Sequence, residues 1–453
     1  ASGATTSRRS RYSPSKQWWI ALGVIVALGL LVRLLHLHAV WGDKLSGDAF
    51  YYHGQAKLIA DGRGFLDPYT LAYHQGPRQV ATHPPLFSLV LAAADVVGLR
   101  SADTHRVVCS FLGAGTVLLV GLLGRQLGGR RVGLIAAACA AFYPGLWASD
   151  NQVLSESLYG LLIAGVLLLA YAFWRRPTYV TAAGLGALCM LAALTRGEAV
   201  LLFPLLLLPL LVMVRRVGKP QVLRLGGVAF LVAALLLAPW AIRNALTFEN
   251  PVVISNNQGQ TFMYANCNTT YGTGNAQFGS WAFYACNGHN YKPVREESVA
   301  DKQMRQIAWR YVRNHLGQLP VVTLGRLGRV WNLWAPVQNL KLEKLEGRSH
   351  SIGWMTLVSF YVLSGFGIYG VVVLRRRRTW PVWPLVSMFA MVSVTVVIFY
   401  ATFRFRVPAE VALMVLAALG VDQLLRRRWP VGDDAETVPA VVDPGPDGGR
   451  SRA

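Results

Sequence analysis

The chain has 453 residues, 53% of them hydrophobic and only 15% charged, with a mean hydropathy of +0.38 and 44 Lys and Arg against 22 Asp and Glu. Several apolar runs are long enough to cross a bilayer, which excludes a soluble globular protein and points to a polytopic membrane protein. A net charge of +22 would raise nucleic acid as a partner in a soluble protein, but here the basic residues punctuate the apolar runs, so no nucleic-acid role is expected.

In chain order, a basic tail at 1–16 precedes an apolar helix at 17–38, too long for a signal-peptide core and read as a retained first span. Further spans are expected at 107–123, 132–148, 154–173, 179–194, 199–214, 225–242, 352–374, 381–401 and 407–425. Clusters at Arg125/Arg130/Arg131, Arg175/Arg176, Arg215/Arg216/Lys219/Arg224, Arg375 to Arg378 and Arg426 to Arg428 then share the side of the N-terminus. By the positive-inside rule that side is cytoplasmic, which places both termini inside a plasma membrane and the segments 39–106 and 243–351 outside.

The apolar stretch HPPLFSLVLAAADVVG at 83–98 would invert this arrangement if it crossed the membrane, so it is read as an in-plane helix opened by Pro84 and Pro85. Segment 319–336, with Arg326, Arg329 and two tryptophans, is read as an interfacial helix, as is the amphipathic run from Met304 to Leu316 before it. From Glu249 to Lys292 the composition turns to Asn, Gly, Thr and Tyr, a small external subdomain. Cys267 and Cys286 are the only cysteines outside the spans and are expected to pair. After Pro430 the acidic Pro/Gly-rich tail reads as disordered. The chain thus divides into a basic tail, a transmembrane module at 17–242 carrying the loop 39–106, an external part at 243–351, a second transmembrane part at 352–425 and a tail at 426–453.

Ionisable residues gather at the outer ends of the expected spans: Asp48, Tyr51, Tyr52 and His53 after the first, then His83, Asp150 and Glu156, Arg196 and Glu198, Arg243, and Arg404 and Arg406. A carboxylate can take a proton from an incoming hydroxyl, and fixed guanidinia can hold the charge that grows on a departing phosphate. Each residue also has a structural reading. Asp48 follows Gly47 and could cap a helix, the tyrosines could anchor at the interface, and Arg196 and Arg243 could be snorkelling span-end residues. Arg404 and Arg406 cannot both face one site from a helix. The histidines make no compact ligand pair, although a divalent cation held by carboxylates remains compatible with the acids. GFGIYG at 365–370 lies inside an apolar run with no strand before it and reads as helix packing.

The stretches GDAFYYHGQAKLIADGRGF, ATHPPLFSLVLA, FYPGLWASDNQVLSESL, LTRGEAVLLFP, PWAIRN and ATFRFRVPAEVALMVLAAL, in this order, resemble the GT-C superfamily of membrane glycosyltransferases. The resemblance is to the branch of protein O-mannosyltransferases and the lipid A aminoarabinose transferase, and especially to its actinobacterial members. It implies an all-α bundle of about ten transmembrane helices with juxtamembrane helices. It further implies inverting transfer of a sugar from a polyprenyl phosphate to a cell-envelope glycan, lipid or protein. Carried over by position, Asp48 would be the catalytic base, Glu156 or Asp150 the second acid, and His83, Arg196, Arg243, Arg404 and Arg406 partners of the donor phosphate. Tyr51, Tyr52 and His53 would meet acceptor or sugar. The protein mannosyltransferases carry paired first-loop acids, whereas Ala49 follows Asp48 here. The rival reading is a transporter or lipid flippase, which would place ionisable groups on broken helices at mid-membrane and relate two halves by a repeat.

Overall fold

The computed structural model describes residues 14–286, 294–345 and 347–428, so the expected tails and Lys292 lie largely or wholly outside it. All regular structure among the described residues is helical, apart from one isolated bridge between Leu66 and Gln79. Among the described residues six helices, or seven if the bent pair Arg130–Phe142 and Pro144–Asp150 is one span, are long and apolar enough to span a bilayer: α1 (Pro14–Ala39, within which Lys16–Ala39 is the candidate span), α4 (Ala102–Gly128), α7 (Glu156–Arg175), α9 (Lys219–Thr247), α12 (His350–Arg377) and α14 (Val407–Arg428, preceded by a 3-10 turn at Phe403–Arg406). Between them lie α2 (Gly47–Ala60), α3 (Leu86–Val96), α5 (Arg130–Phe142), α6 (Pro144–Asp150), α8 (Tyr179–Ala193), α10 (Glu297–Asn314), α11 (Leu319–Val330) and α13 (Trp383–Ile398).

The protein is thus an all-α polytopic membrane protein, but four of the ten expected spans depart from single long helices. The run at 132–148 becomes α5 and α6, bent by 54° where Pro144 opens the second piece. The run at 199–214 breaks into 3-10, π and α pieces around Pro204 and Pro209. The helices α8 and α13 are short, at 15 and 16 residues. The stretch at 83–98 forms only the 11-residue α3, too short to cross.

The last helix, α14, is the core of the bundle. Its residues from Val407 to Gly420 are buried, and it packs on α12, α5, α13 and α7. The G-x-G-x-x-G run serves this contact: a Cβ on Gly370 would strike the Leu416 carbonyl, and one on Gly420 would strike that of Phe366. Gly370→Ala is expected to destabilise the protein by about 1–3 kcal/mol, the usual cost of overpacking, seen as a lower unfolding midpoint in detergent. Gly365→Ala, whose Cβ would meet open space, should leave that midpoint unchanged.

The two ends of the bundle differ in chemistry. At one end Trp18 donates to the Arg130 carbonyl, Arg125 sits over the Trp18 ring, and buried Asp422 pairs with Arg131 at 3.2 Å and Arg426 at 2.8 Å. The other end carries α2, α3 and the subdomain. Tyr51, Tyr52, Phe87, Leu91 and Leu158 form a small separate core that seats α2 on α3 and the bundle.

In the subdomain Cys267 and Cys286 form a disulfide, and Met263, Tyr264, Ala282 and Ala308 pack around it. The helix α11 turns its two arginines inward and apolar residues outward. Arg326 and Arg329 are buried and donate to the carbonyls of Val397, Ala265 and Ala276, while Val321, Leu324, Leu333 and Trp334 are exposed. Its arginines therefore fasten the subdomain to α13 rather than meeting lipid headgroups.

Candidate active site

The first turn of α2 is entered through Gly47, whose φ of +54° lets the chain turn sharply, and the Tyr69 hydroxyl donates to the Gly47 carbonyl at 2.6 Å. Ser46 is the N-cap residue and makes no side-chain cap, so Asp48 stands one position inside the helix with its carboxylate turned elsewhere. The capping reading of Asp48 is therefore incorrect. Arg404 Nη1 donates to Asp48 Oδ2 at 2.7 Å, and His83 Nε2 lies 3.5 Å from Oδ1. The carboxylate remains about one-third exposed. Its burial would by itself raise its pKa, but the charge of Arg404 and then His83 outweighs that and holds the group well below the usual carboxylate range.

Arg404 joins this carboxylate to a second one. Its Nε and Nη2 both reach Glu156, at the start of α7, whose side chain is almost fully buried. Glu156 Oε1 also accepts from Arg196 at 2.7 Å, and Arg196 Nε donates to Glu198 at 2.5 Å. The rings of Phe405 and Tyr159 lie against the Arg196 guanidinium. Three carboxylates and two guanidinia thus form one continuous network, fed by α2, α7, the turn after α8 and the turn before α14.

The imidazole of His83 is held between the rings of Tyr51 and Tyr52, at centroid distances of 4.8 and 4.9 Å. Both tyrosines are buried, not interfacial anchors. The Tyr51 hydroxyl accepts from Gln55, whose carbonyl oxygen accepts from Ser88, so the wall behind His83 is tied to both α2 and α3. Burial first, and the charge of Asp48 second, push the Tyr52 phenol well up, and burial does the same for Tyr51. Both rings therefore stay neutral supports.

Four of the sequence-derived candidates lie elsewhere. Asp150 pairs with Arg33 of α1 at 2.7 Å, inside the bundle. Arg406 faces Glu410 at 3.2 Å and stacks on Phe360, because the 3-10 turn at Phe403–Arg406 sends alternate arginines to opposite sides. Arg243 donates to the Val80 carbonyl at 3.0 Å and to Gln79 at 2.5 Å, so it holds the loop before His83 rather than facing the acids. His53 turns away to His105, Nδ1 to Nδ1 at 3.1 Å, and His105 reaches Asp95 at 2.9 Å. Burial, with Lys57, His105 and Arg106 nearby, lowers the His53 pKa to about 4.

As to a metal, no group of three or more His, Cys, Asp or Glu among the described residues is placed to hold one. Asp48 and Glu156 share the Arg404 guanidinium instead. As paired, this donor set does not fit a divalent cation.

Sequence reasoning did not single out Glu297, at the start of α10. It is buried, and it accepts from the Ala81 N–H at 2.7 Å and from the Thr82 hydroxyl at 2.5 Å, immediately before His83. Nothing local in the sequence marks it, because its partners lie 216 and 215 residues away.

No protein-family model matches the chain, and neither does any curated protein. Solved structures do match. An oligosaccharyltransferase from Archaeoglobus fulgidus in the apo form aligns with a TM-score of 0.56 at 17% identity, over 92% of this chain and 52% of its own. The same organism's AglB, in complex with an inhibitory peptide and a dolichol-phosphate, aligns with a TM-score of 0.52 at 16% identity, over 93% and 53%. ArnT from Cupriavidus metallidurans in the apo state gives 0.54 at 14% identity, over 92% and 62%. The chain therefore spans about half the length of the oligosaccharyltransferase and shares a fold with these proteins.

Proposed function

We propose that the chain is an inverting glycosyltransferase that moves a sugar from a polyprenyl monophosphate to a cell-envelope acceptor. The observation that carries this reading is the meeting of Asp48, Glu156 and Arg404, distant in sequence, in one network at the end of the bundle opposite the basic clusters. The fold shared with AglB, solved with a dolichol-phosphate, supports a lipid-phosphate donor. The positive-inside rule puts this end outside the plasma membrane and both termini in the cytoplasm. The sugar we propose is mannose or arabinose, and the acceptor a glycan, lipid or protein of the envelope.

Asp48 takes the proton of the acceptor hydroxyl while that oxygen attacks the anomeric carbon. The bond from that carbon to the phosphate oxygen breaks, and its electron pair leaves on polyprenyl phosphate. Arg404, His83 and Arg196 stabilise the charge that collects there. While Arg404 is paired to Asp48, the carboxylate is a weak base, because the same charge that keeps it ionised lowers its proton affinity. A donor phosphate that draws Arg404 towards itself removes this restraint, so the base strengthens only when donor is bound. Tyr51 and Tyr52 act by holding the His83 ring, and Glu156 by orienting Arg404 and Arg196.

The test is purified protein in proteoliposomes carrying polyprenyl phosphate with a labelled sugar, together with envelope acceptor. Transfer moves label from lipid to acceptor. A flippase would leave all label on the lipid and change only its leaflet, and that outcome would overturn the reading.

A further inference from the structure

The loop from Gln79 to Pro85, which presents His83, is held by the Phe65 carbonyl, which accepts from the Val80 N–H at 3.0 Å, and by three residues from the second half of the chain. Arg243 of α9 donates to the Val80 carbonyl, the Asn256 N–H donates to the Ala81 carbonyl at 2.7 Å, and Glu297 accepts from both Ala81 and Thr82. The last is a carboxylate of the external part at 243–351, and it spends both oxygens on the loop. Glu296, its neighbour, is the residue that caps α10 through the Val299 N–H, so Glu297 has no capping duty.

We propose that Glu297 is a positioning residue that sets His83 against Asp48, so that the external part at 243–351 controls the donor-phosphate end of the site. The role of His83 in this inference rests on the glycosyltransferase reading above. The loop is short, and the two bonds fall on the residues directly preceding His83. Loss of both lets the imidazole leave its slot between Tyr51 and Tyr52.

The clamp also senses pH. Burial raises the Glu297 pKa to about 7, against the lowering effect of the Thr82 and Ala81 hydrogen bonds and of Arg78, while Asp67 adds to the rise. Tyr51 and Arg243 face it as well. An acid whose folded pKa is raised favours the folded state most when protonated. Its contribution is therefore largest below about 4.5 and declines as the pH climbs through about 7. The ionised form accepts from both loop donors, so the loop is held most firmly above neutrality.

The experiment uses the full chain in detergent or nanodiscs, as wild type, Glu297→Ala, Glu297→Gln and His83→Ala. Diethyl pyrocarbonate labelling read by mass spectrometry reports the His83 position without any turnover. Glu297→Ala should raise the His83 labelling rate about fivefold or more, with exposed His74 unchanged, and amide exchange at 81–83 should rise in parallel. In an active preparation the same variant should raise the donor KM about tenfold with kcat changed less than threefold. Adding Glu297→Ala to His83→Ala should cost nothing further, since both act through one imidazole. Glu297→Gln keeps an acceptor for Ala81 and should recover most of the donor affinity. The midpoint of wild type relative to Glu297→Gln should fall between pH 5 and pH 8. Unchanged His83 labelling in Glu297→Ala, or a midpoint difference between wild type and Glu297→Gln that is flat with pH, overturns the proposal. If wild type transfers no sugar, the glycosyltransferase reading fails, and labelling and exchange still judge the clamp.

Discussion

Asp48→Asn is expected to reduce sugar transfer by at least about a thousandfold while leaving binding of polyprenyl phosphate intact or tighter. The asparagine keeps the size of the side chain and an oxygen for Arg404, so α2 and the bundle should fold as in wild type. It cannot accept the acceptor proton, which removes the chemical step. It also no longer competes as an anion for Arg404, which frees that guanidinium for the lipid phosphate. A split of this kind, with kcat lost and donor affinity kept, separates a base from a mere ion-pair partner. Unfolding midpoints and donor-binding titrations on the same preparation check both halves of the expectation.

Arg404→Ala is the second large effect, of a different kind. It removes the guanidinium that bridges Asp48 and Glu156, and among the described contacts it leaves Asp48 with His83. Both donor KM and kcat should suffer, with kcat/KM down by about a thousandfold, equivalent to about 4 kcal/mol of transition-state stabilisation. Arg404→Lys should recover only part of this, because a single ammonium cannot serve two carboxylates as a planar fork does. The double variant Asp48→Asn/Arg404→Ala should fall well short of the sum of the two losses, since the residues act as one unit. Arg406→Lys provides the contrast. Its partner is Glu410 inside the bundle, so its cost should appear in the unfolding midpoint, with transfer by the folded fraction unchanged.

The membrane class and the chain order of the elements were legible because long apolar runs and basic clusters need no tertiary information. Where the expected spans gave way to bends and breaks, the cause was proline placement within runs whose mean hydropathy looks continuous, as at Pro144 and Pro204. The residues of the network were drawn to notice by motif order, but their partners were not. Arg404 and Arg406 differ only in the phase of a four-residue 3-10 turn, and periodicity cannot choose between them. Asp150 and Glu156 sit on either side of a short turn, and only the packing of α1 shows that Arg33 claims the first. The arginines of α11 illustrate the same limit. In sequence they look like headgroup contacts, yet the carbonyls that they satisfy come from segments up to 71 residues away. Glu297 was invisible for the same reason, because two adjacent acids at a helix start read as capping and helix-dipole compensation until the loop that the second one holds is seen.

The most direct test is a single turnover of excess enzyme on a panel of polyprenyl monophosphate sugars with envelope acceptor, following both products. Asp48 activating a hydroxyl and Arg404 receiving the leaving phosphate require free polyprenyl monophosphate and glycosylated acceptor in equal amounts, with the anomeric configuration inverted. Retained configuration, or a sugar–phosphate unit passed on with the lipid left as free alcohol, would contradict the account.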